Sequence, residues 1–217
     1  MVTPLTMPHK GHHYTQGHIL DRINVSIGYP PRATTGSYHV TVRDHEVGTP
    51  KMDADSDRVL MDRNGNVYNR KTQEYTRMDK GVQGDIHDVL LQCSHSTVQW
   101  WDLEYSCRHK RACIIDVCDG SIVDYHTRRN LVDVPTIDPF VSMIDMPWLV
   151  TRFPVWDEVH AQDAFDTMKN AYEHFVAINT SSAYNWEGVV VVDATLPYDL
   201  TRKQSMNLGM HTKYKFR

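Results

Sequence analysis

Apolar and polar residues alternate along several stretches of the chain, and the period of each alternation predicts an element. In the run Tyr38 to Asp44, Tyr38, Val40 and Val42 are separated by polar residues, the pattern of a half-buried strand. Arg58 to Arg70 reads as a β-hairpin whose turn is Asn64-Gly65. Ile86, Val89 and Leu90 share one face of a short helix over Asp85 to Cys93, and strand-like runs follow at Val98 to Tyr105 and Ala112 to Val117. The strongest helical period spans Val159 to Ile178, where Phe165, Met168, Tyr172, Phe175 and Val176 form a stripe suited to core packing. Glu187 to Asp193 predicts a strand buried on both faces, and Lys213 to Phe216 predicts a last strand. Hairpins flanked by a few helices indicate an α+β fold built on antiparallel sheet.

Residues 1–36, rich in His, Gly, Pro and Thr, lack a sustained apolar period and read as an irregular arm ahead of one principal domain, 37–217. With 41% hydrophobic and 23% charged residues the composition is that of an ordinary globular protein, and no apolar run approaches a membrane span. The opening MVTPLTMPHKGHH has no apolar leader core, so a cytoplasmic location away from membranes is expected. Cys93, Cys107, Cys113 and Cys118 match no zinc spacing and are expected as free thiols. His9, His12, His13 and His18 could bind zinc or nickel, but no regular element fixes their geometry, and a surface arm is the favoured expectation. A net charge of -4 argues against a wholly cationic surface. Two basic clusters stand out, Arg108-His109-Lys110-Arg111 and His211 to Arg217, and the first is expected to be a solvated hairpin turn.

The stretch YNWEGVVVVD, residues 184–193, holds candidate chemistry. A glycine at the mouth of a buried strand lets a ligand approach the backbone, beside a carboxylate, Glu187, that could bind a metal ion. In Lys213-Tyr214-Lys215, alternation puts two ammonium groups on one face of a later strand. An acid on one strand and a lysine pair on another suits a metal-bound polyphosphate.

In order and spacing these stretches resemble the covalent nucleotidyltransferases: ATP-dependent DNA ligases, RNA ligases and mRNA capping enzymes. EGVVV and KYK resemble the family's fourth and fifth motifs, and Trp101-Asp-Leu-Glu104 its third. Cys113-Ile-Ile-Asp-Val117, Asp119-Gly120 and Tyr125-His-Thr-Arg-Arg129-Asn-Leu131 resemble the DNA-ligase run FDV, DG, YxxRRxxL. The resemblance covers about residues 49 to 217 and implies a ligase-type nucleotidyltransferase (adenylation) domain. It further implies that Lys51 attacks ATP to form lysyl-AMP, with its amine activated by nearby cations, while Lys213 and Lys215 stabilise the α-phosphate. Glu187 would hold Mg2+, Glu104 would accept from the ribose, and Arg58 would contact ribose or phosphate. Ile115 stands at the adenine-stacking position, Arg70 would grip the 5′-phosphate of a nick, and Asp53 would support AMP transfer. The implied partner is nicked DNA or RNA, with DNA favoured by the run Asp116 to Leu131. A monomer is expected, with the OB function that would follow KYK supplied by a separate protein.

The first motif, KxDGxR in the family, admits two alignments over Pro50 to Arg58. One places Lys51 and Asp53 on the motif's lysine and aspartate, with Ala54 at the glycine and two extra residues before Arg58. The other is ungapped, keeps Asp55 and Arg58, and puts Asp53 at the nucleophile, which would make the domain inactive. Lys51 is preferred because turns absorb insertions. Val192 replaces the usual lysine of the fourth motif, Ile115 an aromatic, and Leu103 a glycine. These departures keep a second expectation in play, a degenerate ligase-fold domain that binds nucleotide or nucleic acid without reacting.

Overall fold

The computed structural model describes residues 39–52, 56–69, 74–76, 78–118, 124–140, 145–178, 186–195 and 211–216. The expected arm at 1–36 lies outside them, as does Tyr38. The chain runs through strands β1 (Glu46–Met52), β2 (Ser56–Asp62), β3 (Val67–Asn69) and β4 (Glu74–Thr76) to helix α1 (Lys80–Cys93). Then come β5 (Trp100–Ser106), β6 (Arg111–Cys118), helix α2 (Tyr125–Arg129), β7 (Val150–Arg152), helix α3 (Glu158–Ala177), β8 (Trp186–Asp193) and β9 (His211–Lys215).

Two sheets result, and the fold is α+β. The smaller has the order β1-β8-β9 and is antiparallel throughout. The larger has the order β4-β3-β2-β5-β6-β7 and is antiparallel except for the parallel pair β6/β7. Each sheet buries one face under a helix, as alternation requires. Met52, Trp186, Val189, Val191, Tyr214 and Phe216 of the small sheet meet Ala161, Phe165 and Met168 of α3. Val59, Met61, Trp101, Leu103 and Ile114 of the large sheet meet Ile86 and Leu90 of α1. Asp157 caps α3 by accepting from the His160 N–H at 2.9 Å, and Asp124 caps α2 through Thr127 at 2.9 Å.

The expected hairpin forms, with Leu60 opposite Tyr68, but its loop is wider than the two residues Asn64-Gly65. Asp62 accepts from the N–H groups of Asn64 and Asn66, and Gly65 takes φ 76° to close it. The strand expected over Tyr38 to Asp44 does not form across the described residues 39–44. Val40 and Val42 are buried in alternation, but against α3, and the Val40 N–H donates to the Gln162 side chain at 2.7 Å instead of to a strand. Val176 leaves the predicted stripe and is exposed, because α3 buries only its first part, through Ala161, Ala164, Phe165 and Met168.

Along β1 and β8, Lys51 lies opposite Gly188 and Met52 opposite Trp186, so Glu187 is the extra residue of a β-bulge. The bulge resets the alternation: Trp186 joins Val189 and Val191 on the α3 side, and Glu187 turns to the other face. Gly188 sits between Lys51 and Lys215 in register, with φ 150°. A β-carbon there would run into the Tyr214 carbonyl. Gly188→Ala should therefore cost about 2–4 kcal/mol, from backbone strain and overpacking. A thermal melt should show a loss of roughly 5–15 °C.

Candidate active site

The face of the small sheet turned away from α3 carries Lys51 of β1, Glu187 of β8, and Lys213 and Lys215 of β9. Tyr214 and Phe216 fill the α3 side, which forces the two lysines to the opposite one. Glu187 is only 6% exposed, and an isolated buried carboxylate would be costly. Lys51 Nζ donates to its Oε1 and, at 3.3 Å, to the Met52 carbonyl, while Lys215 Nζ donates to Oε2 at 2.7 Å. Burial pushes the Glu187 carboxyl up, but the hydrogen bonds and charges of Lys215 and Lys51 outweigh it and leave the group below its ordinary value.

Lys213, opposite Val190 and beside Lys215, is the lysine whose affinity for a proton this cluster lowers. Burial acts first, then the positive charges of Lys51, Arg58 and Lys215, and together they bring it to about 8 against the pull of Glu104. Neighbouring cations therefore lower the proton affinity of Lys213.

Two charged groups of the large sheet act on Lys213. Arg58 and Glu104 are in register on β2 and β5. Arg58 is held in a fork to buried Asp102, with Nε to Oδ1 at 2.9 Å and Nη2 to Oδ2 at 2.6 Å. On β6, Asp116 takes a second fork from Arg128 of α2, at 2.9 and 2.8 Å, with Arg128 only 1% exposed. Burial raises the Asp116 carboxyl, and the Arg128 guanidinium acts in the opposite direction. Sequence reasoning missed both pairs. Their signal was an aspartate inside an otherwise apolar strand, in WDLEY and CIIDV, because a buried acid requires a partner.

Lys51 and Lys215 both contact Glu187, and Lys51, Lys215, Arg58 and Glu104 lie within electrostatic reach of Lys213. Ile115 is the bulged residue between Asp116, opposite Asp102, and Ile114, opposite Leu103, and with Tyr125, Arg129 and Val132 it lines a cleft. Val192, where the resemblance has a lysine, is buried among Val47, Tyr125 and Ala194. Asp53 and Arg70 lie outside the described residues.

Among the described residues no three His, Cys, Asp or Glu side chains converge as a metal cage. Mg2+ commonly uses one or two carboxylates plus phosphate oxygens and water. Glu187 fits that role as a single ligand to an ion carried by a phosphate chain. It does not fit a stand-alone metal site, because both its oxygens already accept from lysines. Among the described residues no helix is long and apolar enough to cross a membrane.

No family model and no curated protein matches the sequence. Several solved structures are similar in shape, among them the following two. One, described as "Pmar-Lig_PreS3", has 12% identity and TM-score 0.46, covering 86% of this chain and 46% of its own. The other, "Pmar-Lig_Pre.", has 11% identity and TM-score 0.44, covering 78% and 42%. This chain spans less than half the length of either. At these values the likeness carries no functional conclusion.

Between pH 8 and 10.5, folded Lys213 binds fewer protons than the unfolded chain does, so its charge opposes folding at pH 7 and the penalty fades as pH rises. Lys213→Met should raise the urea midpoint at pH 7. The gain should shrink towards pH 10 when midpoints are compared across that range.

Proposed function

We propose that the chain is an ATP-dependent polynucleotide ligase-like nucleotidyltransferase that works through a lysyl-AMP intermediate, with DNA the favoured substrate. The observation that supports this most is the pairing of Lys51 and Lys215 with Glu187, with Lys213 within electrostatic reach of both lysines on the same sheet face. Three ammonium groups and one carboxylate on a face leave an excess of positive charge, which complements a triphosphate. The order of the sequence motifs supplies the second support.

In the proposed reaction a triphosphate draws Lys215 and Lys213 onto its oxygens, and Lys51 parts from Glu187 and loses its proton to water. The neutral amine attacks the α-phosphorus: the P–N bond forms, the bond from phosphorus to the bridging oxygen breaks, and pyrophosphate leaves. Lys213 and Lys215 stabilise the charge that develops on the α-phosphate. Mg2+ bound to the triphosphate would neutralise further charge, and Glu187, released from Lys51, would hold it. Glu104 is assigned to the ribose. Arg58, fixed by Asp102, is assigned to the ribose or the phosphate. The AMP would then pass to a 5′-phosphate, with Asp53 and Arg70 assisting, and a 3′-hydroxyl would displace it to seal the strand.

A second reading, a domain that binds nucleotide or nucleic acid without reacting, is favoured by Val192, which packs in an apolar cluster where a lysine would be needed. Incubation with α-labelled ATP and Mg2+ followed by a denaturing gel separates the two. Label should stay on the intact chain, vanish with Lys51→Ala, and fall at least about tenfold with Glu187→Gln. No label on the intact chain would favour the second reading. Sealing of nicked duplexes with DNA or RNA strands should proceed faster with DNA.

A further inference from the structure

The cleft beside Ile115 is lined by two guanidiniums that the proposed chemistry does not use, Arg129 at the end of α2 and Arg152 at the end of β7. Ile114, Val117 and Val132, all buried, give it apolar walls. Asp116 also lines it, but both its oxygens accept from Arg128, at 2.9 and 2.8 Å.

Among the described residues no acid pairs with Arg129 or Arg152. Arg152 meets neutral acceptors at long range, with Nε to Thr136 Oγ1 at 3.3 Å and Nη1 to the Val132 carbonyl at 3.4 Å. Its Nη2 meets no acceptor among the described residues. The side chain of Arg129 has the Tyr125 phenol as its partner. Burial loosens the hold of Arg129 on its proton; the phenol opposes this, and the positive charge of Arg152 adds to it.

The neighbouring arginines are treated differently: Arg58 is forked to Asp102, and Arg128 to Asp116. Two like charges in a half-buried, apolar-walled cleft cost free energy that no acid of the described residues offsets. Such an unmatched pair marks a place suited to an anion from outside. The donors decide its class. A carboxylate is filled by one guanidinium fork, as Asp116 is, whereas guanidiniums from two elements suit an anion with three or four oxygens.

Arg152 follows Thr151, which is opposite Cys113; Cys113 is opposite Glu104, and Glu104 opposite Arg58. Three strand spacings of about 4.8 Å put Thr151 roughly 14 Å from Arg58, so the cleft is apart from the lysine cluster. We infer that the cleft lined by β6, α2 and β7 binds a phosphate group, held jointly by Arg129 and Arg152. Nucleotidyl transfer is not required for this binding.

Nuclear magnetic resonance of the arginine Nε–H groups tests it, with the full chain titrated with inorganic phosphate against chloride at matched ionic strength. The Arg129 and Arg152 signals should shift and saturate. Arg129→Gln and Arg152→Gln should each weaken the binding read at the remaining arginine about tenfold. The melt of Arg129→Gln in chloride should match that of the unsubstituted chain, since no paired charge is lost. No saturating shift, unchanged affinity in both variants, or equal competition by acetate or by adenosine would overturn the inference; competition by adenosine would make the cleft a base pocket. Tighter binding of a 5′-phosphorylated dinucleotide than of its 5′-hydroxyl form supports the site with a terminal phosphate as its ligand. Equal binding of the two supports it with an internal phosphodiester, and binding of neither with the free ion. Arg129→Gln should still take label from ATP, and Lys51→Ala should still show both arginine shifts, so failure here is distinguishable from failure of nucleotidyl transfer.

Discussion

A buried carboxylate must be paired, and around Glu187 that requirement organises the site. The β-bulge at Glu187 turns its side chain away from the α3 core, and the glycine beside it lets β9 approach closely. Lys51 and Lys215 then flank Gly188 in register and reach the two carboxylate oxygens from opposite sides. A different residue at either position, 187 or 188, would leave the lysines on the same strands with nothing to gather them. Under the proposed function the pairing exchanges, because a polyphosphate offers the lysines more negative charge than one carboxylate does.

The rest of the fold follows a division of labour between faces. Each sheet gives one face to a helix and an apolar core, and its other face mixes buried apolar residues with charged groups. On the large sheet, Asp102 and Asp116 are spent on holding Arg58 and Arg128. Both pairs are forked and buried on at least one side, so they fix side-chain direction more than they add stability. The run that resembles YxxRRxxL therefore has a structural use in this chain: its Arg128 fastens α2 to β6.

Much of this was legible in the sequence where one period dominated. The hairpin came from its Asn64-Gly65 turn; α3, the part of α1 from Asp85 and the strand of valines came from apolar spacing; and the KYK alternation placed Lys213 and Lys215 on one face. Strand β1 was not legible, because Gly48 and Pro50 interrupt its pattern; an edge position in the sheet tolerates that proline. The alternation at Val40 and Val42 misled for the opposite reason, since a helix can bury alternate residues of an extended segment as well as a sheet can. Contacts such as Arg58 with Asp102 cross 44 residues of sequence, and no local pattern encodes them. The direct contact of Lys51 with Glu187, 136 residues away, was not foreseen; the resemblance only implied that both serve one site.

The central claim is that Lys51 is the group this cluster holds ready for nucleotidyl transfer. Peptide mapping by tandem mass spectrometry, after incubation of the full chain with ATP and Mg2+ and digestion at neutral to alkaline pH to preserve a phosphoramidate, tests it most directly. AMP carried by Lys51 is the predicted result. AMP on Lys213 or on another residue, with Lys51 unmodified, would contradict it.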